Sequence, residues 1–210
     1  MVGRIITTDA CVAEGAAYLA AQEPRFAHAL AQTGPLPLRR KPDGFSALLD
    51  AIVSQQISVA AANGIWQRMK AAQACSRAGI NRLGDEDLRQ CGLSRSKIRY
   101  ARALAQSNIS FRALRTMPDR DVIDELTKIT GIGQWTAEIY AMFALGRADV
   151  FAPGDLALQE ATRILFDLSA RPTEKYLRDM AQNWSPWKSV AARLLFAYYR
   201  VAKSRDGISA

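Results

Sequence analysis

A chain of 210 residues with 49% apolar and 23% charged side chains can bury a substantial core, which excludes both a disulfide-stapled miniprotein and an intrinsically disordered chain. Its net charge of +8 favours a polyanionic partner, because Lys and Arg that neutralise phosphates release condensed counterions. No stretch reaches the roughly 18 uninterrupted apolar residues of a membrane span, and the N-terminus lacks a basic segment followed by an apolar one, so a cytoplasmic location is expected, nucleoid-associated in a bacterium.

Apolar residues recur at helical spacing along almost the whole chain and alternating runs are scarce, which predicts an all-α fold. The first segment carries Cys11 and the only histidine, His28, and ends in the turn Gly34-Pro35-Leu36-Pro37. One histidine is too few for a His-based metal site, and Cys11, Cys75 and Cys91 lack the CxxC pairs of a zinc site and the clustered thiolates of an iron-sulfur cluster. Next, Phe45, Leu48, Leu49, Ile52, Val53, Ile57 and Ala60 fall on one helical face. Breaks near Gly79, Gly84, Gly92, Pro118, Gly131 to Gly133, Pro153-Gly154 and Pro172 leave about nine or ten helices of roughly 8 to 20 residues. No fixed-period repeat is present, so a globule is expected rather than a solenoid.

Between Gly92 and Pro118 the chain carries Arg95, Lys97, Arg99, Arg102, Arg112 and Arg115 without an Asp or Glu. That run predicts a local positive field, a solvated helix face being the plainer alternative. Asp121 to Ile129 then reads as a helix with Val122, Leu126 and Ile129 on one face, stopping at Thr130-Gly131-Ile132-Gly133 before a second helix begins around Trp135. Glycines in so short a turn permit positive φ and remove side chains that would block an approaching ligand, and free amides at the second helix's N-terminus suit a phosphate. A purely structural αα-hairpin is the alternative. Farther on, Asp155 precedes a helix beginning at Leu156, where it can cap the helix for about 1 kcal/mol.

The string Leu126-Thr127-Lys128-Ile129-Thr130-Gly131-Ile132-Gly133-Gln134-Trp135-Thr136-Ala137 closely resembles the helix-hairpin-helix element of DNA repair glycosylases. Three further segments resemble that family in order and spacing: Ile52-Val53-Ser54-Gln55-Gln56-Ile57-Ser58, Val150-Phe151-Ala152-Pro153-Gly154-Asp155-Leu156, and Trp184-Ser185-Pro186-Trp187-Lys188-Ser189, the last similar to the 3-methyladenine DNA glycosylase II branch. Together they span roughly residues 40 to 200.

The resemblance implies a two-lobed helical glycosylase fold lacking that branch's N-terminal β-domain. Residues 1–44 would pack with 151–210, and 45–150 would carry the hairpin at about 121–145, with the base pocket in the cleft. It implies a monomer that binds double-stranded DNA containing alkylated bases, flips a damaged purine such as 3-methyladenine or 7-methylguanine, and hydrolyses its glycosidic bond. Asp155, twenty residues after Trp135, takes the catalytic place. Trp135 stands where lyase relatives carry a Schiff-base lysine, so base excision without strand cleavage is implied, with Trp135 as a pocket wall. Gln56 falls at the DNA wedge, Gln55, Ser58, Tyr140 and Phe196 at or near the pocket, and Gly131, Gly133 and Thr136 at the phosphate-gripping amides. The carbonyls of Thr127, Ile129 and Ile132 would hold a Na+ or K+ ion, and no iron-sulfur cluster or other cofactor is implied. The competing readings are a noncatalytic helix-hairpin-helix DNA-binding module, a glycosylase for other damaged bases, and a protein of anionic membrane surfaces, which would show a basic amphipathic helix without the glycine hairpin.

Overall fold

The computed structural model describes residues 2–205. In chain order the helices are α1 (Asp9–Gln22), α2 (Pro24–Thr33), α3 (Phe45–Val53), α4 (Val59–Ala71), α5 (Arg77–Arg82), α6 (Asp85–Gln90), α7 (Arg95–Gln106), α8 (Phe111–Leu114), α9 (Asp119–Thr127), α10 (Gln134–Phe143), α11 (Leu156–Leu165), α12 (Glu174–Met180) and α13 (Lys188–Arg205). The fold is all-α, and among the described residues extended pairing is limited to an isolated antiparallel bridge between Ile5 and Arg147. No helix among them is long and apolar enough to cross a membrane. Among the described residues thirteen α-helices exceed the nine or ten expected because α5, α6 and α8 hold only six, six and four residues, too few turns to show a period. What marks them is capping: the hydroxyls of Ser76 and Ser110 accept the amides of Gly79 and Ala113, and Asp87 closes the first turn of α6 by accepting the Gly84 amide at 2.9 Å.

The chain forms two compact units, one built on Lys41–Leu145 and the other on Gly3–Arg40 together with the chain from Gly146. In the first, Leu48, Leu49, Ile52 and Val53 of α3 are fully buried, and α3 packs on α7 and α10. The helical face read from Phe45 onward stops there. Residues Ser54 to Ser58 break the helix, so Ile57 and Ala60 are exposed rather than buried. Three of the six cations in the basic run of residues 95–115 help hold this unit together, while Arg95, Arg99 and Arg112 are exposed. Lys97, 9% exposed, donates from Nζ to the Val53 carbonyl at 2.6 Å, a cation at the C-terminal end of α3 where the helix dipole favours one. Desolvation lowers its pKa. Arg102 bridges the Leu83 carbonyl and the Asp85 carboxylate, and Arg115 forks onto both oxygens of Asp43 at 2.7 and 3.1 Å.

In the second unit α13 packs against α11, α2 and α1, with Leu158, Ala161, Val190, Leu194 and Leu195 at its centre. Trp184 sits among Phe26, Phe151 and Phe166, with ring centroids 5.3, 5.2 and 6.1 Å away. Such clusters dominate the energetics of a core. Trp187 is buried against α1, where a Cβ on Gly15 would stand 2.7 Å from its indole and 2.7 Å from the Val190 side chain. Helix propensity alone would make Gly15→Ala stabilising by about 1 kcal/mol. Overpacking of a rigid indole costs about 1–3 kcal/mol, so the expected outcome is a net fall in the urea midpoint at unchanged m-value.

Candidate functional site

In the first unit, α9 and α10 form the hairpin. Pro118 and the acidic first turn of Asp119 and Asp121 start α9 two residues earlier than the apolar face suggested, and α10 begins at Gln134. The two glycines of the turn do different things. Gly131 has φ +90, and a Cβ there would fall 2.0 Å from Cγ of Tyr100 on α7, so the position requires both a left-handed backbone and close approach to an aromatic ring. Gly133 has an ordinary extended φ of −85 and open space around its missing Cβ. Its lack of a side chain leaves the N-terminus of α10 uncovered. No side chain caps that helix, and its first amides, those of Gln134, Trp135 and Thr136, precede the first i→i−4 bond, from Ala137 to Gly133. A helix N-terminus without a side-chain cap carries partial positive charge and suits an anion.

Gln55 ties a second segment to the turn, donating from Nε2 to the Gly131 carbonyl at 2.9 Å and to Oγ1 of buried Thr136 at 2.8 Å. Its neighbour Gln56 is exposed, with φ +55, an uncommon left-handed conformation for a residue other than glycine. Two aliphatics beside it, Ile57 and Val59, are 37% and 78% exposed. Sequence periodicity had placed Ile57 in the core, so this exposed pair was missed. Ser58 is the N-cap of α4, accepting the Ala61 amide at 3.2 Å.

Trp135, on the first turn of α10, is half-buried. Tyr140 on the same helix is only 2% exposed, its hydroxyl accepts the Gly44 amide at 3.0 Å, and burial pushes its pKa up to about 12. It is a core residue of the first unit. Of the carbonyls of Thr127, Ile129 and Ile132, that of Ile129 accepts the Ile132 amide at 3.0 Å and retains a second lone pair. Neutral carbonyl oxygens are a donor set compatible with a hard, weakly demanding cation.

Asp155 and Phe196 belong to the second unit. Asp155 is half-exposed and caps α11, Oδ1 accepting the amides of Ala157 and Leu158 at 2.9 and 3.2 Å. The turn before it is braced from both sides: the Asp155 amide donates to Ala152, and buried Gln159, one turn into α11, donates from Nε2 to the Pro153 carbonyl at 2.8 Å. Sequence reading missed Gln159, although its i+4 spacing from Asp155 is the available signal. The result is a carboxylate held at a fixed place and orientation, suited to stabilising a developing cation. Phe196 on α13 is half-buried, with the Arg39 guanidinium 5.1 Å from its ring centroid. No group of three or more His, Cys, Asp or Glu among the described residues could hold a metal ion.

Residues 49–187 match the family described as the HhH-GPD superfamily of base excision DNA repair proteins. The chain is 30% identical over 171 residues to DNA-3-methyladenine glycosylase 1 of Schizosaccharomyces pombe, a match covering 77% of this chain and 75% of the relative. The structure of a 3-methyladenine DNA glycosylase from the same yeast, Mag1, in complex with abasic DNA superposes with a TM-score of 0.79 at 26% identity, over 87% of this chain and 95% of that one. A DNA-3-methyladenine glycosidase from Bacillus halodurans gives a TM-score of 0.75 at 31% identity, over 98% and 96%.

The two glycines of the turn separate experimentally. Gly131→Ala forces a side chain into left-handed backbone, worth about 1–3 kcal/mol, and into the Tyr100 ring, so its urea midpoint should fall clearly. Gly133→Ala meets neither obstacle and should stay within about 1 kcal/mol of the parent.

Proposed function

Because this chain belongs to the HhH-GPD superfamily of base excision DNA repair proteins, and is a DNA glycosylase on that footing, we propose that it excises N-alkylated purines, 3-methyladenine foremost and 7-methylguanine with it, from double-stranded DNA by hydrolysis and without cutting the strand. The observation that carries the reading is Asp155: a half-exposed carboxylate fixed by two backbone amides at the start of α11, at the position the family's motif gives to its catalytic aspartate. Similarity to relatives that bear the 3-methyladenine name supports the substrate class.

An alkylated purine already carries positive charge and leaves as a neutral base with the bonding electron pair. Positive charge then develops at C1′ of the sugar, water adds there and sheds a proton. A carboxylate beside C1′ lowers the barrier by opposing that charge, as in other glycosidic bond cleavages, and it can also orient the water. Trp135 offers an indole for stacking on the cationic base, worth about 1–3 kcal/mol. It has no amine with which to form a Schiff base, which supports hydrolysis without lyase chemistry. Extrusion of the base leaves a gap in the stack, for which Gln56 with its exposed neighbours Ile57 and Val59 is the candidate wedge. The N-terminus of α10, which has no side-chain cap, would hold a strand phosphate. A monovalent cation on the carbonyls of Thr127, Ile129 and Ile132 would add positive charge there, and no other cofactor enters the chemistry.

The test is incubation of the protein and its Asp155→Asn variant with duplexes carrying 3-methyladenine or 7-methylguanine, measuring free base, and strand breaks before and after alkali. Asn caps a helix as well as Asp, so the variant should fold normally and lose about 10²-fold or more in excision rate. Breaks should appear only after alkali. Wild type releasing no base would overturn the enzyme reading, breaks without alkali would overturn the absence of lyase activity, and an undiminished variant would remove Asp155 from catalysis.

A further inference from the structure

Arg95 and Arg99 stand one turn apart on α7, and both are exposed. Among the described residues neither pairs with a carboxylate, whereas other exposed arginines do: Arg25 with Glu23, Arg89 with Glu86 and Arg115 with Asp43. Their placement works against the helix that carries them. The first turn of α7 holds no acidic residue, the helix dipole disfavours cations at that end, and like charges at i and i+4 repel. Local costs of this kind are expected where function sets the residue. The face also adjoins the hairpin. A Cβ on Gly131 would fall 2.0 Å from Cγ of Tyr100, and the Arg99 guanidinium lies over the same ring, 5.3 Å from its centroid. Cation and turn are therefore at most about 10 Å apart. The other arm of the hairpin is acidic: α9 opens with Asp119 and Asp121, and the nearby Arg120 and Lys128 are paired with Asp124 and Glu125.

We propose that Arg95 and Arg99 bind two successive phosphates of the DNA strand held at the hairpin, so that the strand leaves the N-terminus of α10 over α7 and away from α9. The contact lies wholly within the first unit, and it rests on the reading of this chain as a DNA glycosylase whose hairpin holds a phosphate. Residues at i and i+4 stand about 5–6 Å apart on a helix surface, on the order of one phosphate step along a strand. Each guanidinium presents a fork of N–H donors that matches phosphate oxygens. Bound phosphates also screen the two cations from each other, so an arrangement that costs stability in the free protein becomes favourable in the complex. The carboxylates of α9 repel the same backbone, which gives the strand its direction. The Tyr100 ring beneath Arg99 restrains that side chain and joins it to the turn, so the phosphates are met in one register. Such contacts orient a duplex without reading its sequence, as excision from any sequence context requires.

The experiment uses the full chain and a fluorescein-labelled duplex containing a tetrahydrofuran abasic analogue, with anisotropy measured across a salt series. Arg95→Gln and Arg99→Gln should each weaken binding about 5- to 10-fold near 0.1 M salt and lower the slope of log K against log salt by about 0.9, and the double variant should lose about twice that slope. Their urea midpoints should not fall, because neither side chain is paired in the free protein. Arg120→Gln removes the same charge from α9, where Arg120 is 3.9 Å from Asp124, and should leave the slope as it is. Equal losses in Arg120→Gln would reduce the effect to net charge and overturn the contact. Unchanged affinity and slope in both α7 variants would overturn it too. Release of 3-methyladenine from a methylated duplex is measured alongside. A wild type that releases no base while its α7 variants lose slope would sink the glycosylase reading and leave the contact standing. A wild type that excises while those variants keep the full slope would do the reverse.

Discussion

The close approach of Gly131 to the ring of Tyr100 is the constraint on which the first unit's functional surface depends. With no side chain at residue 131, the turn between α9 and α10 can lie directly on α7, and its left-handed φ reverses the chain within a few residues. Once the turn is seated there, the Gly131 carbonyl is in reach of Gln55, whose amide also binds Thr136. One side chain thereby fixes the hairpin relative to the segment that carries Gln56, Ile57 and Val59. Lys97 secures the other end of that segment by holding the last carbonyl of α3. Segments that lie 76 and 81 residues apart in sequence are joined by two hydrogen bonds.

On the proposed mechanism Asp155 would serve stability and chemistry together. Its cap bonds order the start of α11, and the same bonds restrict the carboxylate's rotation, so in that role its orientation would be set before any reaction. Gln159 extends the arrangement by fixing the Pro153 carbonyl in the turn that delivers Asp155. A cap and a charge-stabilising carboxylate are therefore compatible readings of one residue: capping supplies the preorganisation that charge stabilisation needs.

The all-α fold, the glycine turn and the cap at Asp155 were legible in the sequence because each is written by nearby residues: helical periodicity, Gly-x-Gly, and an Asp before an apolar run. Features that depend on distant partners were not. The basic run at residues 95–115 announced a positive field, yet Lys97, Arg102 and Arg115 are engaged with carbonyls and carboxylates contributed by other segments. Periodicity carried Ile57 and Ala60 into the core because nothing in Ser54-Gln55-Gln56 resembles a helix breaker, and the left-handed backbone at Gln56 and Arg39 has no glycine to mark it. Short helices escaped for want of turns. Among the candidate site residues, Gln55 was placed near the pocket by resemblance, but its two partners became visible only in three dimensions.

The two units differ in how the chain reaches them. The first is built on the single long stretch Lys41–Leu145, whereas the second is assembled from the pieces on either side of it. During synthesis from the N-terminus, domains complete themselves as their sequence emerges. The hairpin unit has its residues before α11 exists, while Phe26 of α2 must wait for its aromatic partners Phe166 and Trp184 to be made. The hairpin unit can thus close before the unit bearing Asp155 has the pieces it needs.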